Sequence, residues 1–164
     1  ESRPNVIALH TCGKAIGSAG GLVAADPILR NFLVNRARPF IYSTAPSPLQ
    51  VSATRLALKT TIAEQHRRHE LHRLIAFANA RFADLFGSPG SGTQILPLIV
   101  GDADRTLRIA HRLQAEGFDI RAIRQPTVPS GTARLRITIT LNVDESTITR
   151  MFERLAAIMA EKMI

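Results

Sequence analysis

A glycine-rich segment between two apolar runs carries one of the three lysines of this chain, and it limits how the N-terminal part can fold. The segment, residues 10–21, reads H-T-C-G-K-A-I-G-S-A-G-G. Apolar residues precede it at 6–9 and follow it at 22–25. The pattern predicts a strand, a tight turn that carries Lys14, a glycine-rich crossing and a second strand.

Lys14 is a candidate nucleophile because of this setting. A lysine between glycines at the end of a strand can approach a planar cofactor closely. Desolvation of its amine would lower the pKa and make the amine a better nucleophile. These are the properties of a Schiff-base lysine. Spacing alone leaves a second interpretation open, in which Lys14 is an ordinary loop lysine and the glycines only make turns.

Size and composition are those of a globular protein. The chain has 164 residues, of which 45% are hydrophobic and 21% charged, enough for one sizeable core or one small domain plus part of another. No apolar run approaches the ~20 residues of a membrane span, and no secretory signal opens the chain. The single cysteine, Cys12, excludes an internal disulfide framework and favours the cytoplasm. Because the first residue is Glu1 rather than Met, we expect a fragment or a processed product.

The net charge of +8 comes from 18 arginines and 3 lysines against 13 acidic residues. Such a balance could favour nucleic acid, an anionic membrane or phosphate-bearing substrates. However, aromatic residues make up only 5% and tryptophan is absent, so platforms for base stacking are scarce. The arginines are also scattered along the chain. We therefore interpret the charge as a solvated basic surface and expect neither a nucleic-acid nor a membrane partner.

The first part of the chain resembles the end of an α/β domain. Asp26 followed by Pro27 predicts the start of a helix that runs to about Arg36. Residues 40–44 are rich in β-formers and predict a strand. A long helical stretch follows from 48 to 86, and its second half is amphipathic. The apolar positions of that half are Leu71, Leu74, Ile75, Ala78, Phe82 and Leu85.

The second part predicts a small α+β domain with the order βαββα. After a flexible loop at 87–92, strands are expected at 95–100, 118–123 and 133–141, a helix from Asp102 to Gly117, and a final helix at 144–164. The buried face of that helix is expected to contain Ile148, Met151, Phe152, Leu155, Ile158 and Met159. We place the domain boundary between residues 1–65 and 66–164.

Several motifs for other chemistries are absent or incomplete. His66, His69 and His72 recur every three residues, whereas a zinc hydrolase needs H-E-x-x-H, so a solvated helix face is the better interpretation. The loop at 87–92 lacks the G-K-S/T ending of a phosphate-binding loop, and no G-x-S-x-G nucleophile elbow occurs. We predict no metal site.

The segment at 124–140 is the second informative one. Pro126 and Pro129 are expected to hold Thr127 in an extended, rigid loop. Residues then alternate, which places Arg134 and Arg136 on one face of a strand. An arginine on a sheet face is suited to bind a carboxylate, because its planar fork binds two oxygens at once. The alternative is a half-exposed edge strand with solubilising arginines.

Three segments together resemble the α-oxoamine synthases, a family of pyridoxal-phosphate (PLP) enzymes. They are residues 11–17, 36–46 and 126–136, in the order and spacing of that family. The most specific is the run P-T-V-P-S-G-T-A-R-L-R, which is most similar to members that act in biotin biosynthesis. Gln125, where proline is common, is a small departure. The resemblance covers nearly the whole chain. It implies an α/β fold, in which the C-terminal part of a fold-type I large domain is followed by a small α+β domain.

The resemblance also implies an activity. Such enzymes condense L-alanine with a pimeloyl thioester, carried on coenzyme A or a carrier protein, and release carbon dioxide. Lys14 would bind PLP covalently and then move a proton at the α-carbon, with the cofactor ring as electron sink. Thr11 would bind the cofactor phosphate, while Ser43 and Thr44 would reach the phosphate of the neighbouring subunit in a homodimer.

The same resemblance implies that Arg136 would bind the amino-acid carboxylate and that Thr127 would contact the substrate near the acyl chain. The upstream part of the family's large domain supplies an aspartate, a stacking histidine and a glycine-rich turn that these residues lack, so we expect this chain alone to be inactive. Three alternatives remain: a relative that uses glycine or serine, a non-catalytic basic binding module, and an inactive remnant that associates with the complete enzyme.

Overall fold

A computed structural model of the protein describes residues 5–161. The chain divides into two compact units, and the boundary lies between Gln65 and His66. The identity of these units as parts of a large and a small domain stays a prediction. Within residues 5–161, no helix combines the length and the apolar character needed to cross a membrane.

The first unit begins with the hairpin that the glycine-rich segment predicted. Strands β1 (Ala8–Thr11) and β2 (Gly21–Ala24) pair in antiparallel register, with Thr11 opposite Gly21. Helix α1 (Pro27–Arg36) follows, and the Asp26 side chain caps it by accepting a hydrogen bond from the Ile28 amide at 2.8 Å. The predicted strand, loop, strand and capped helix are therefore confirmed, because each rests on a short-range signal.

The strand predicted at 40–44 is wrong. Residues Arg38–Ile41 form a short helix, α2, with a proline in its first turn. Proline fixes φ near the helical value, and β-formers make a strand only where a partner strand is available. In the described part of this unit, β1 and β2 pair only with each other. Helix α3 (Pro48–Ala63) then begins at an N-cap, Ser47.

The first unit buries few of its own side chains. Among its described residues only Cys12 and Thr54 are buried, while large apolar side chains on every element are exposed. Those exposed above half of their surface include Leu9, Ile28, Phe32, Phe40, Leu49, Leu56 and Ile62. A fold with so little buried apolar surface gains little hydrophobic stabilisation from within. The described first unit therefore has no hydrophobic core of its own.

Helix α4 (Gln65–Phe86) belongs to the second unit from His66 onward, and Glu64 separates it from α3. A loop leads to strand β3 (Ile95–Gly101), helix α5 (Ala103–Ala115), strands β4 (Arg121–Ile123) and β5 (Ala133–Thr138), and helix α6 (Glu145–Ala160). The strands form one antiparallel sheet in the order β3-β5-β4. The predicted βαββα order is confirmed, and the last three residues of the predicted final helix, 162–164, lie outside the described residues.

Strand β5 lies at the centre of this sheet, so the edge-strand alternative for its arginines is wrong. Leu135 and Ile137 point into the core, whereas Arg136 lies on the opposite, open face. Helices α4, α5 and α6 and strand β3 supply most of the rest of the core. Its fully buried members include Phe82, Leu96, Ile109, Leu113, Phe152, Leu155 and Ile158, which confirms the apolar faces expected for α4 and α6 except at Leu85, whose side chain is exposed.

A side-chain amide fixes the loop between α4 and β3. Asn79 donates to the Ile75 carbonyl at 2.8 Å and accepts from the Gly92 amide at 2.8 Å. A Cβ added at Gly90 would lie 1.9 Å from Asn79 Oδ1, a distance that no side chain tolerates. Gly90 is therefore a packing requirement, although the sequence identifies it only as part of a flexible linker.

We expect Gly90→Ala to destabilise the second unit by about 1–3 kcal/mol, because the Asn79 amide must move and lose its hydrogen bonds. Thermal unfolding of the full-length protein measures the effect. Ser88→Ala, in the same loop, is the matched control and should change the melting temperature little. Equal melting temperatures for the two variants would contradict this packing.

Candidate active site

The loop that carries Lys14 is closed by backbone hydrogen bonds. The Ser18 amide donates to the Cys12 carbonyl, the Cys12 amide to the Gly20 carbonyl, and the Gly17 amide to the Lys14 carbonyl, each at 2.9 Å. Gly17 and Gly20 have φ values of 64° and 89°, a region that favours glycine. The glycines thus close a tight loop that presents Lys14 at its tip.

Lys14 is exposed in the first unit. Its amine is therefore accessible to a ligand from solvent. The desolvation expected from the sequence would need groups beyond those of the described first unit.

Helix α3 supports the Lys14 loop through polar contacts that sequence analysis missed. Thr54 Oγ1 donates to Ser18 Oγ at 2.9 Å, and Ser18 Oγ donates to the Gln50 carbonyl at 3.2 Å. Cys12, only 2% exposed, packs at the base of the same loop. No local signal links Ser18 to a residue 36 positions away. These contacts restrain the loop and with it the position of Lys14.

Thr11 is the last residue of β1, three positions before Lys14. Its Oγ1 accepts a hydrogen bond from the Gly13 amide at 3.4 Å, and the side chain is exposed. A hydroxyl at the edge of a glycine-rich loop can donate a hydrogen bond to an anionic group. The structure therefore places an accessible Thr11 hydroxyl at the start of the Lys14 loop.

Ser43 and Thr44 lie in the exposed segment after α2. Ser43 Oγ donates to the Pro39 carbonyl, and both side chains are accessible. Among the described residues neither is hydrogen-bonded to the Lys14 loop. Their accessible hydroxyls remain suited to a ligand or to a second copy of the chain.

Thr127 lies in a turn of the second unit, so the extended loop expected for it is wrong. Its amide donates to the Arg124 carbonyl at 3.0 Å, and the Gln125–Pro126 peptide bond is cis. This hydrogen bond closes a tight turn over residues 124–127 in place of an extended segment. The Thr127 side chain is exposed.

The two arginines of β5 differ in their contacts. Arg134 is half-buried and donates from Nε to the Thr132 carbonyl at 3.0 Å. Arg136 is exposed and has no hydrogen bond or ion pair with another residue of the described chain. The full set of N–H donors of Arg136 is available, whereas Arg134 already uses its Nε donor within the chain.

The histidines of α4 form no metal site. His66, His69 and His72 are all exposed. Across residues 5–161, no group of three or more His, Cys, Asp or Glu side chains is placed to hold a metal ion.

Comparison with known proteins gives a consistent result. The chain is 40% identical to 8-amino-7-oxononanoate synthase of Cupriavidus taiwanensis over 98% of its own length and 42% of that protein. It is 41% identical to the synthase of Chromohalobacter salexigens over 99% of its length and 42% of that protein. The chain thus spans less than half the length of these curated relatives.

Solved structures show the same fold. The 8-amino-7-oxononanoate synthase of Francisella tularensis matches 97% of this chain and 47% of its own, with a TM-score of 0.82 at 24% identity. The serine palmitoyltransferase of Sphingomonas wittichii matches 93% of this chain and 39% of its own, with a TM-score of 0.82 at 16% identity. These similarities confirm the resemblance seen at 11–17, 36–46 and 126–136 and the predicted fold class.

The description of the family agrees with both sets of relatives. The aminotransferase class I and II family matches residues 1–155, nearly the whole chain. The match includes both the Lys14 loop and the segment with Thr127 and Arg136. The chain belongs to the aminotransferase class I and II family.

Proposed function

We propose that this chain is part of a PLP-dependent acyltransferase of biotin biosynthesis. The enzyme would condense L-alanine with a pimeloyl thioester to 8-amino-7-oxononanoate, with loss of carbon dioxide. The observation that carries the proposal is the 40% identity to 8-amino-7-oxononanoate synthase over 98% of this chain. The acyl carrier is either coenzyme A or a carrier protein.

The donors of the first unit fit PLP, which has an aldehyde and a phosphate. Lys14 offers an accessible amine, and Thr11 offers a hydroxyl three residues away. A solved neighbour of the same fold, SPT, contains PLP, with a TM-score of 0.82 at 18% identity. When bound, PLP supplies an electron sink for negative charge at the substrate α-carbon.

Lys14 would hold the cofactor through Nζ and, once released, move the proton at the α-carbon. The closed loop and the contact of its Ser18 with Thr54 restrain the backbone at Lys14, which helps to orient the amine for proton transfer. Thr11 would bind the phosphate, and Ser43 and Thr44 would reach the phosphate of the other subunit of a homodimer. The exposed hydroxyls of all three support these roles.

Arg136 would bind the carboxylate of L-alanine through its planar fork, and Thr127 would contact the substrate near its acyl chain. The absence of any described partner for Arg136 supports this role, because no internal carboxylate competes for its donors. A cytoplasmic location, expected from the single cysteine, belongs to the same proposal.

Product analysis of the full-length protein with PLP tests the proposal. Incubated with pimeloyl-coenzyme A and L-alanine, it should release coenzyme A and form a product with the mass of 8-amino-7-oxononanoate. Glycine and L-serine are the matched alternative substrates and should react much more slowly. Activity with glycine but not with L-alanine would contradict the assignment to biotin biosynthesis.

A further inference from the structure

Two arginines lie side by side on the open face of the second unit's sheet. Arg121 of β4 is directly opposite Arg136 of β5, and both are exposed. Opposed residues of antiparallel strands point to the same face, with Cβ atoms about 4.5–5.5 Å apart. Like charges in such a pair repel, so the arrangement is favourable only when anions offset it. Sequence analysis missed Arg121 because its partner depends on strand register.

The Arg121 side chain forms an ion pair with a neighbouring residue. Asp119 forms an ion pair with Arg121, with Oδ1 2.7 Å from Nε, and its Oδ2 accepts a hydrogen bond from Nη2 at 3.2 Å. An arginine has five N–H donors on three nitrogens, and this contact involves Nε and Nη2. The Nη1 group has no acceptor among the described residues, so Arg121 has donors left for a ligand.

Both arginines line a cavity of about 530 Å³ in the second unit. Its volume is in the range of small-molecule sites, which are mostly between about 300 and 1,000 Å³. One wall is apolar, and a third arginine, Arg150, lies 5.6 Å above the ring of Phe118. The apolar side chains of that wall are Phe118, Ile120, Ile139, Val143 and Met151.

The carboxylates of the cavity are already paired. Glu116 accepts from Arg154 Nε at 2.7 Å, and these hydrogen bonds lower the pKa of Glu116, which keeps it ionised. Asp119 is engaged by Arg121. Arg136 and Arg150 have no carboxylate partner among the described residues. The cavity therefore combines uncompensated positive charge with an apolar wall, which suits a short aliphatic chain that ends in a carboxylate.

We propose that this cavity binds the far end of the acyl substrate, with Arg121 as the ligand of its terminal carboxylate. The inference rests on the proposed function, in which Arg136 binds the carboxylate of the amino acid. Two adjacent arginines would then face two carboxylates, one from each substrate. Arg121 thereby gives the enzyme a preference for acyl chains that carry a terminal carboxylate over those that end in a methyl group.

Equilibrium binding to the full-length protein tests this without turnover. Pimelate and heptanoate have the same chain length, but heptanoate lacks the second carboxylate. By titration calorimetry, pimelate should bind about tenfold or more tightly than heptanoate, the effect of one charge-assisted hydrogen bond. Arg121→Gln should remove this preference, whereas Arg108→Gln, an exposed arginine of α5 outside the cavity, should keep it. Both variants alter exposed residues, and their melting temperatures check that they fold.

Two results would overturn the inference: equal binding of pimelate and heptanoate to the wild type, or an undiminished preference in Arg121→Gln. Free coenzyme A is the third probe, because a phosphate could also bind arginines. The affinity for coenzyme A should be the same in the wild type and in Arg121→Gln. If Arg121→Gln weakened coenzyme A binding as much as it weakened pimelate binding, Arg121 would be assigned to a phosphate instead.

Kinetics separate this inference from the proposed function. The discriminating quantity is kcat/KM for pimeloyl-coenzyme A divided by kcat/KM for heptanoyl-coenzyme A. Arg121→Gln should lower this quotient about tenfold and leave the KM for L-alanine unchanged. If no 8-amino-7-oxononanoate forms but the pimelate preference is present and depends on Arg121, the proposed function fails and this cavity assignment stands. If the product forms but the pimelate preference survives Arg121→Gln, the proposed function stands and the cavity assignment fails.

Discussion

Lys14→Ala is expected to lower the activity of the full-length enzyme at least a thousandfold (roughly, from the loss of both a nucleophile and a proton-transfer group). The substitution removes the only amine at the tip of the closed loop and leaves the backbone hydrogen bonds that form the loop intact. Lys59→Ala is the matched control, since Lys59 lies on α3 and not in the loop. The loss should appear in kcat, and Lys59→Ala should retain most of the activity.

Covalent labelling gives the same prediction a readout other than activity. After incubation of the full-length protein with PLP and reduction with borohydride, peptide mapping should find a pyridoxyl group on Lys14. None is expected on Lys59 or on Lys162, which lies outside the described residues. In the Lys14→Ala variant, the peptide that contains position 14 should carry no pyridoxyl group. A label on another lysine, with Lys14 unmodified in the wild type, would refute the cofactor role of Lys14.

Phe152→Ala should destabilise the second unit by about 3–5 kcal/mol, the usual cost of removing a buried phenylalanine ring. Phe152 is fully buried, and its ring centroid lies 5.9 Å from that of Phe82 and 6.1 Å from that of Phe86. The substitution would therefore leave a cavity in the core and remove two edge-to-face aromatic contacts. The midpoint of the denaturant transition of the full-length protein measures the loss.

The neighbouring position provides the control for this core. Glu153 follows Phe152 on α6 and is exposed, so Glu153→Ala should leave the midpoint nearly unchanged. Phe152→Leu, which keeps most of the apolar volume, should fall between the two. If Phe152→Ala behaved like Glu153→Ala, the core described for the second unit would be incorrect.

Elements with short-range signals were predictable. The Asp26 cap and Pro27 define the start of α1, and the glycines around Lys14 define its loop, because capping and positive φ depend on adjacent residues. Apolar periodicity likewise identified the buried faces of α4 and α6, since the repeat along a helix fixes which side chains share a face.

Predictions failed where the outcome depended on partners. Residues 40–44 have β-formers but no strand to pair with in the described first unit, and part of the segment lies in α2. The segment around Thr127 was expected to be extended, but it folds into a hydrogen-bonded turn. The conformational propensity of a short segment permits more than one conformation. Which one forms depends on tertiary contacts that the propensity does not specify.

The sequence by itself determined the Lys14 loop, the alternation that separates Arg136 from the core, and the family resemblance. Each of these depends on residues that are close together in the chain. The tertiary structure decided which distant residues meet. It placed Thr54 against Ser18 and Arg121 opposite Arg136, through helix packing in one case and strand register in the other. Shifting β4 by one residue would move Arg121 to the other face of the sheet. The proposed acyl specificity therefore depends on register, a property of the folded sheet that no local segment encodes.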